Sequence, residues 1–143
     1  RQRQMCIRDR TNKPFIATHS DSRTITQNPR NLTDEQIKII ISRGGIIGLN
    51  LHNAFLNNNP DKACTEDILR HCEYMLSLGC ENFLCFGTDF DGCDLPKDIV
   101  GSDSIGGIYE LFLKNNYNES ILKKIFYENA YKFFENFDNQ RIM

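Results

Sequence analysis

From Lys13 onward the chain alternates short, almost continuous apolar runs with stretches whose apolar residues recur at helical spacing. "KPFIATHS" reads as a buried strand from Phe15 to Thr18 whose far end delivers His19. A polar loop, "SDSRTITQNPRNL", follows. Thr33 and Gln36 then form a T-x-x-Q capping box, with Asp34 and Glu35 in the first turn, where the helix dipole favours anions. That helix carries Ile37, Ile40 and Ile41 and stops at Gly44-Gly45. "IIGLNL", from Ile46, is the second strand, and "HNAFLNNNPDKAC" the loop after it. A helix from about Glu66 to Leu78 places Ile68, Cys72, Met75 and Leu76 on one face. "NFLCFGTDF" is the third strand, followed by a long loop and "SIGGIYELFLKN". The last helix, capped by Asn118 or Ser120, holds Ile121, Leu122, Ile125, Phe126 and Phe133.

The order is βαβαβα with a further helix, which implies parallel strands joined by right-handed crossovers. Near-continuous apolar strands are those covered on both faces. A doubly wound α/β sheet and part of a (β/α)8 barrel both satisfy this, and both bind ligands at the carboxyl ends of strands. His19 and Asp89 stand at two such ends, and Asn50 with His52 at the third.

Composition narrows the picture. The 143 residues suffice for one domain with a real core, and 40% hydrophobic with 25% charged residues is the balance of a globular protein. A net charge of −2 argues against a nucleic-acid binder. No apolar run approaches the roughly 20 residues of a membrane span, and the polar "DNQRIM" shows no lipid-anchor pattern. The six cysteines form no CxxC pair, so they read as free thiols in a reducing, cytoplasmic compartment. The opening "RQRQMCIRDR" holds four arginines and one aspartate, a net +3 that leaves −5 elsewhere. It has no apolar segment of a secretory signal and is read, over residues 1–12, as a non-native or disordered leader. Residues 13–143 are then the folded domain.

The chemistry concentrates in "FLCFGTDFDGCDLP", where an apolar strand ends in Asp89 and Asp91 around Phe90, before Gly92. One reading is a turn in which a carboxylate caps and Gly92 supplies a positive φ. A calcium loop fails, because the offsets that need Asp or Asn and then Gly hold Cys93 and Asp94, and the closing Glu position is Val100. "DFDG" after an apolar strand also resembles the first motif of haloacid-dehalogenase-type phosphatases, with Asp89 as nucleophile and Asp91 as acid/base. Only 51 residues follow Gly92, too few for the rest of such a domain. A non-catalytic α/β binding module is a third alternative.

Set beside "DFDG", the blocks "PFIATHSDSR", "NPRNLTDEQ", "RGGIIGLN", "HCEYMLSLGCENFLCFGTDFDG" and "YENAYKFF" together resemble the renal or membrane dipeptidase family of zinc metallopeptidases, from about Lys13 to Phe134. Each block alone has low specificity; their order and spacing carry the resemblance. It implies a (β/α)8 TIM-like barrel of which this chain holds the last three β/α units and a terminal helix. It also implies a two-zinc site at the strand mouths. His19 of "ATHS" matches a histidine ligand of one zinc. Arg30 of "NPRN" matches the arginine that binds the terminal carboxylate of a dipeptide substrate, for which a guanidinium fork is suited. Asp89 matches the catalytic, substrate-contacting aspartate that moves a proton, and Asp91 is read as holding the turn with Gly92.

His71 matches a family position but falls inside a predicted helix, so it is read as packing or supporting rather than ligating. His52 matches no family histidine and is unassigned. Asn129 of "YENAYKFF" is read as structural. The family's other zinc ligands precede its T-H-S block, where this chain has only residues 1–16 and no histidine. The expectation is therefore a C-terminal fragment, inactive alone even with added Zn²⁺, from a protein for which the resemblance also allows a homodimer.

Overall fold

The computed structural model describes residues 13–139, so the leader expected over 1–12 lies outside them. Three parallel strands form one sheet in the order β1 (Ile16–Ala17), β2 (Ile46–Leu49), β3 (Leu84–Phe86). Ile16 pairs with Ile46, Ile47 with Leu84, and Leu49 with Phe86. Between them run α1 (Asp34–Ser42), a one-turn α2 (Asn53–Leu56) and α3 (Thr65–Ser77). After β3 come α4 (Ile105–Lys114), α5 (Glu119–Lys123), a π-helical turn at Lys124–Glu128 and α6 (Asn129–Asn139).

The expected order stands, and the strands are shorter than their apolar runs. All four residues of β2 are buried, so both alternating sets of side chains are covered, as in a central parallel strand. The capping box closes as the sequence implies. Gln36 N–H donates to Thr33 Oγ1 at 3.3 Å, and Thr33 N–H donates to Gln36 Oε1 at 2.9 Å. Inside α1, Ile37 and Ile40 bury their side chains in the common core with Ile47, Leu49, Ile68, Met75 and Leu84. Each such side chain contributes about 1.5–3 kcal/mol by burial. Beyond α1, Gly44 takes φ 67°, a conformation glycine adopts without a Cβ penalty.

Two departures matter. "HNAFLNNNPDKAC" is not a plain loop: it contains α2 and a 3₁₀ turn at Pro60–Lys62 whose cap is Asn59, accepting from Asp61 N–H at 3.2 Å. The last helix is also interrupted by its π turn. Asn118 rather than Ser120 starts it, accepting from Ser120 N–H at 2.8 Å. The π turn carries Ile125 into the core and delivers Asn129 to β3, where its amide donates to Glu81 O at 2.9 Å and Leu84 O at 2.8 Å. Phe126 packs on Phe86 and Tyr109 at centroid distances of 4.6 and 5.1 Å, tying the terminal helices to the sheet.

The sheet curls. A Cβ placed on Gly48 would lie 2.3 Å from Thr18 O, and one on Gly87 only 1.9 Å from the same oxygen. Outer strands of a flat three-stranded sheet stand roughly 9–10 Å apart. The end of β1 therefore reaches the end of β3 across a concave face, and only glycine fits at these two positions. No helix of the described residues is long and apolar enough to cross a membrane.

Candidate active site

All three strands point their carboxyl ends to one edge of the sheet, and the three residues singled out by sequence lie in the loops leaving that edge. His19 follows β1, Arg30 lies in the same loop, and Asp89 follows β3. The mouths are laced together by backbone. Ser20 N–H donates to Gly48 O at 2.8 Å, Gly87 N–H to Leu49 O at 2.9 Å, and Leu51 N–H to Thr88 O at 3.4 Å.

His19 is half-buried, with Nδ1 2.7 Å from Thr18 Oγ1. That contact fixes the ring through one nitrogen and leaves Nε2 for an external partner, the arrangement a metal-binding imidazole uses. Among the described residues no group of three or more His, Cys, Asp or Glu side chains converges into a metal centre. His19 thus fits one place in a ligand set that these residues do not complete.

Arg30 is exposed, and no carboxylate among the described residues pairs with it. Its guanidinium lies over the Phe55 ring at 5.3 Å, a cation–π contact that orients the fork without consuming its donors. The backbone beneath is held densely. Arg30 N–H donates to Asn28 Oδ1 at 2.9 Å, and Asn28 Nδ2 donates to Ala54 O at 3.0 Å. Asn31 is buried; its Nδ2 reaches Phe55 O at 2.9 Å and Thr26 O at 3.1 Å, and its Oδ1 accepts from Asp21 N–H at 3.3 Å. Arg23 spans the loop with donations to Pro29 O and Asn31 O, both at 2.6 Å.

Asp89 takes φ 58°, a left-handed conformation uncommon outside glycine. The positive φ expected of Gly92 falls here instead, and Gly92 serves differently. Its N–H donates to Asp89 O at 2.9 Å, and a Cβ on it would sit 2.6 Å from Asp89 Oδ1. The glycine leaves room for the carboxylate. Asp91, expected to hold the turn, is exposed, and its side chain makes no hydrogen bond among the described residues. The turn closes through backbone, so Asp91 is not what shapes it.

His71 is fully buried with both ring nitrogens engaged. Ser22 N–H donates to Nδ1 at 3.1 Å, while Nε2 faces Leu56 O at 3.1 Å and Thr26 Oγ1 at 3.2 Å. Burial pushes its pKa down to about 4, so it is a neutral imidazole near pH 7. Both nitrogens being occupied agrees with a supporting place rather than ligation. His52 is half-buried beside Phe55, ring centroids 4.7 Å apart, with Nδ1 3.0 Å from Asp94 O in the loop after Asp89. Asn129 is structural, as its two bonds to β3 and the turn before it show.

Asp21 escaped the sequence reading. It is fully buried two residues past His19, with Oδ1 accepting Asn50 N–H at 3.0 Å. Its Oδ2 has no hydrogen-bond partner among the described residues, and burial pushes its pKa well above the ordinary carboxylate range. In "SDSR" it looks like any loop aspartate; only the depth of the strand mouth distinguishes it.

Comparison with known proteins bears on the family and the fold over most of the chain. The family model described as membrane dipeptidase, peptidase family M19, matches residues 5–141. A Klebsiella pneumoniae protein encoded 5′ of pqqA is 32% identical over 127 residues, covering 86% of this chain and 46% of its own length. An uncharacterized dipeptidase of Schizosaccharomyces pombe is 27% identical over 107 residues, 74% of this chain and 25% of that protein. The chain therefore spans less than half the length of these curated relatives. Among solved structures, a metallopeptidase of Rhodobacter sphaeroides holding a phosphinate mimic of the dipeptide L-Ala-D-Ala superposes with a TM-score of 0.86 at 28% identity. The overlap covers 92% of this chain and 38% of that one. A dipeptidase described as an M19 metallopeptidase gives the same TM-score and identity, with 40% of its chain covered. The phosphatase reading of "DFDG" finds no support in any of these. The chain belongs to the membrane dipeptidase family, peptidase family M19.

Proposed function

We propose that these residues are the C-terminal β/α units of a (β/α)8 barrel and one side of the active site of a zinc-dependent dipeptidase. The observation that carries the reading is that His19, Arg30 and Asp89 all lie in loops leaving the same carboxyl edge of a curled parallel sheet. Likeness to a metallopeptidase bound to a dipeptide mimic supports it.

In this reading His19 Nε2 is one ligand of a two-zinc centre whose remaining ligands come from outside these residues. Bound zinc supplies Lewis acidity to the scissile carbonyl and to water. Arg30 receives the terminal carboxylate of the substrate through two parallel hydrogen bonds, which limits substrates to very short peptides. The Asp89 carboxylate has no hydrogen-bonding partner among the described residues to compete for it, so it can take a proton from water and return it to the departing amine.

The test is the full-length protein that contains this chain, loaded with Zn²⁺ and offered Ala-Ala and Ala-Ala amide. Hydrolysis of the free dipeptide with little of the amide is expected, and Arg30→Ala removes the preference. A zinc-loaded full-length protein that cleaves neither, or whose preference survives Arg30→Ala, contradicts the reading. The 143-residue chain alone is expected to be inactive with Zn²⁺; turnover abolished by Asp89→Asn would contradict that.

A further inference from the structure

We propose that His71 is a positioning residue for substrate recognition: a neutral imidazole cross-link that sets where Arg30 stands. The inference rests on the reading of Arg30 as the carboxylate-binding group.

The connection is a continuous run of hydrogen bonds. His71 lies on α3, behind the loop, and makes no hydrogen bond to His19 or Asp89 among the described residues. Its Nδ1 accepts from Ser22 N–H, which fixes the proton on Nε2; Nε2–H is then shared between Leu56 O and Thr26 Oγ1. The Thr26 hydroxyl donates in turn to Leu56 O at 2.8 Å. Thr26 O accepts from Asn28 N–H at 2.7 Å and from Asn31 Nδ2 at 3.1 Å, the residues on either side of Pro29-Arg30. One ring therefore joins the start of the Arg30 loop, its middle, and the α2 segment that carries Phe55, on which the guanidinium rests.

The chemistry of the ring suits this place. A single side chain must accept at one end and donate at the other, about 2 Å apart, inside a dry pocket. Neutral imidazole does both. A lysine or arginine would only donate, and an ionised carboxylate would only accept and would bring a charge into a buried site. A merely space-filling histidine would not need both nitrogens matched to fixed backbone groups of two other segments.

The experiment compares Ala-Ala with Ala-Ala amide on the zinc-loaded full-length enzyme carrying His71→Leu, which keeps bulk and removes both bonds. Expected is a fall of tenfold or more in the free-acid over amide ratio of kcat/KM. KM for Ala-Ala rises at least tenfold while kcat changes less than threefold. His71→Gln, which keeps a donor and an acceptor, restores part of the ratio. Equal losses for both substrates, or a wild-type ratio in His71→Leu, overturn the proposal. If His71→Leu yields no folded enzyme, Thr26→Val is read instead: a ratio lowered about threefold is expected, and an unchanged ratio overturns the proposal. A wild-type enzyme that does not distinguish acid from amide overturns the Arg30 reading first and this proposal with it. Distinct outcomes thus separate the two.

Discussion

The loop from Ser20 to Leu32 and the loop from Gly87 to Gly101 leave the same edge of one sheet, and they are held in opposite ways. In the first, Asp21, Ser22, Thr26, Asn31 and Leu32 are buried, and side chains from α3 and the loop itself tie down the backbone. In the second, Asp91, Gly92 and Asp94 are exposed. Its fixed points are mostly backbone groups, such as Asp94 O, which accepts Asn53 N–H at 2.9 Å. The group that would recognise substrate stands on a pre-organised platform. The group that would move a proton stands on a light turn. On the proposed reading the recognition geometry is built within this chain, whereas Asp89 depends on whatever else faces it across the strand mouths.

Four measurements press on that contrast, beginning with the largest expected effect. In the full-length enzyme Asp89→Asn should lower kcat by about a thousandfold and leave the melting temperature within a degree or two, because the side chain supports no structure. A large drop in stability would show the second loop to be as interlocked as the first. Asn31→Ala should do the reverse. It strips buried partners from Phe55 O, Thr26 O and Asp21 N–H, at a cost of about 3 kcal/mol in denaturant unfolding.

The third measurement is pH. His71 has a folded pKa of about 4 against an ordinary 6.5, so the unfolded chain binds more protons between those values. Its contribution is fully present above pH 6.5 and is lost as pH falls to about 4, a swing of roughly 3 kcal/mol. Desolvation dominates the shift, opposed first by the hydrogen bond to Leu56 O and then by Asp67, with Arg70 adding to it. Buried Asp21 acts in the other sense, holding its proton in the fold, so stability falls as pH rises above 3.8. The difference between wild type and His71→Gln isolates the histidine. A difference that does not vary from pH 6.5 to 4 would contradict the buried neutral ring. The smallest effect belongs to Asp91→Asn, for which less than a twofold change in kcat and about 0.5 kcal/mol or less in stability are expected.

Much of this was legible in the residues themselves. Thr33-x-x-Gln36 announced its capping box, the apolar runs announced buried parallel strands, and T-H-S, P-R-N and D-F-D-G together announced the family. Features fixed by distant contacts stayed hidden. "NFLCFGTDF" reads as nine strand residues, yet β3 spans only Leu84–Phe86, and just beyond it Gly87 comes up against Thr18 O from the far side of the sheet. The left-handed φ fell on Asp89 rather than on the available glycine, and Gly92 instead leaves room for the Asp89 carboxylate. Asn31 and Asp21 look like loop polars, and only the folded depth of the strand mouth gives them their partners.

The π turn at Lys124–Glu128 places one more residue in its turn than an α-helix would. Helical phase downstream is thus set by a count, not by chemistry. Losing one residue there would let the turn close as an ordinary α turn with Asn129 still facing β3, whereas gaining one would rotate Asn129 by about 100°. Its amide would leave the carbonyls of Glu81 and Leu84, and a new set of side chains would face β3. This stretch of the last helix should accept many substitutions, and the loss of one residue far better than the gain of one.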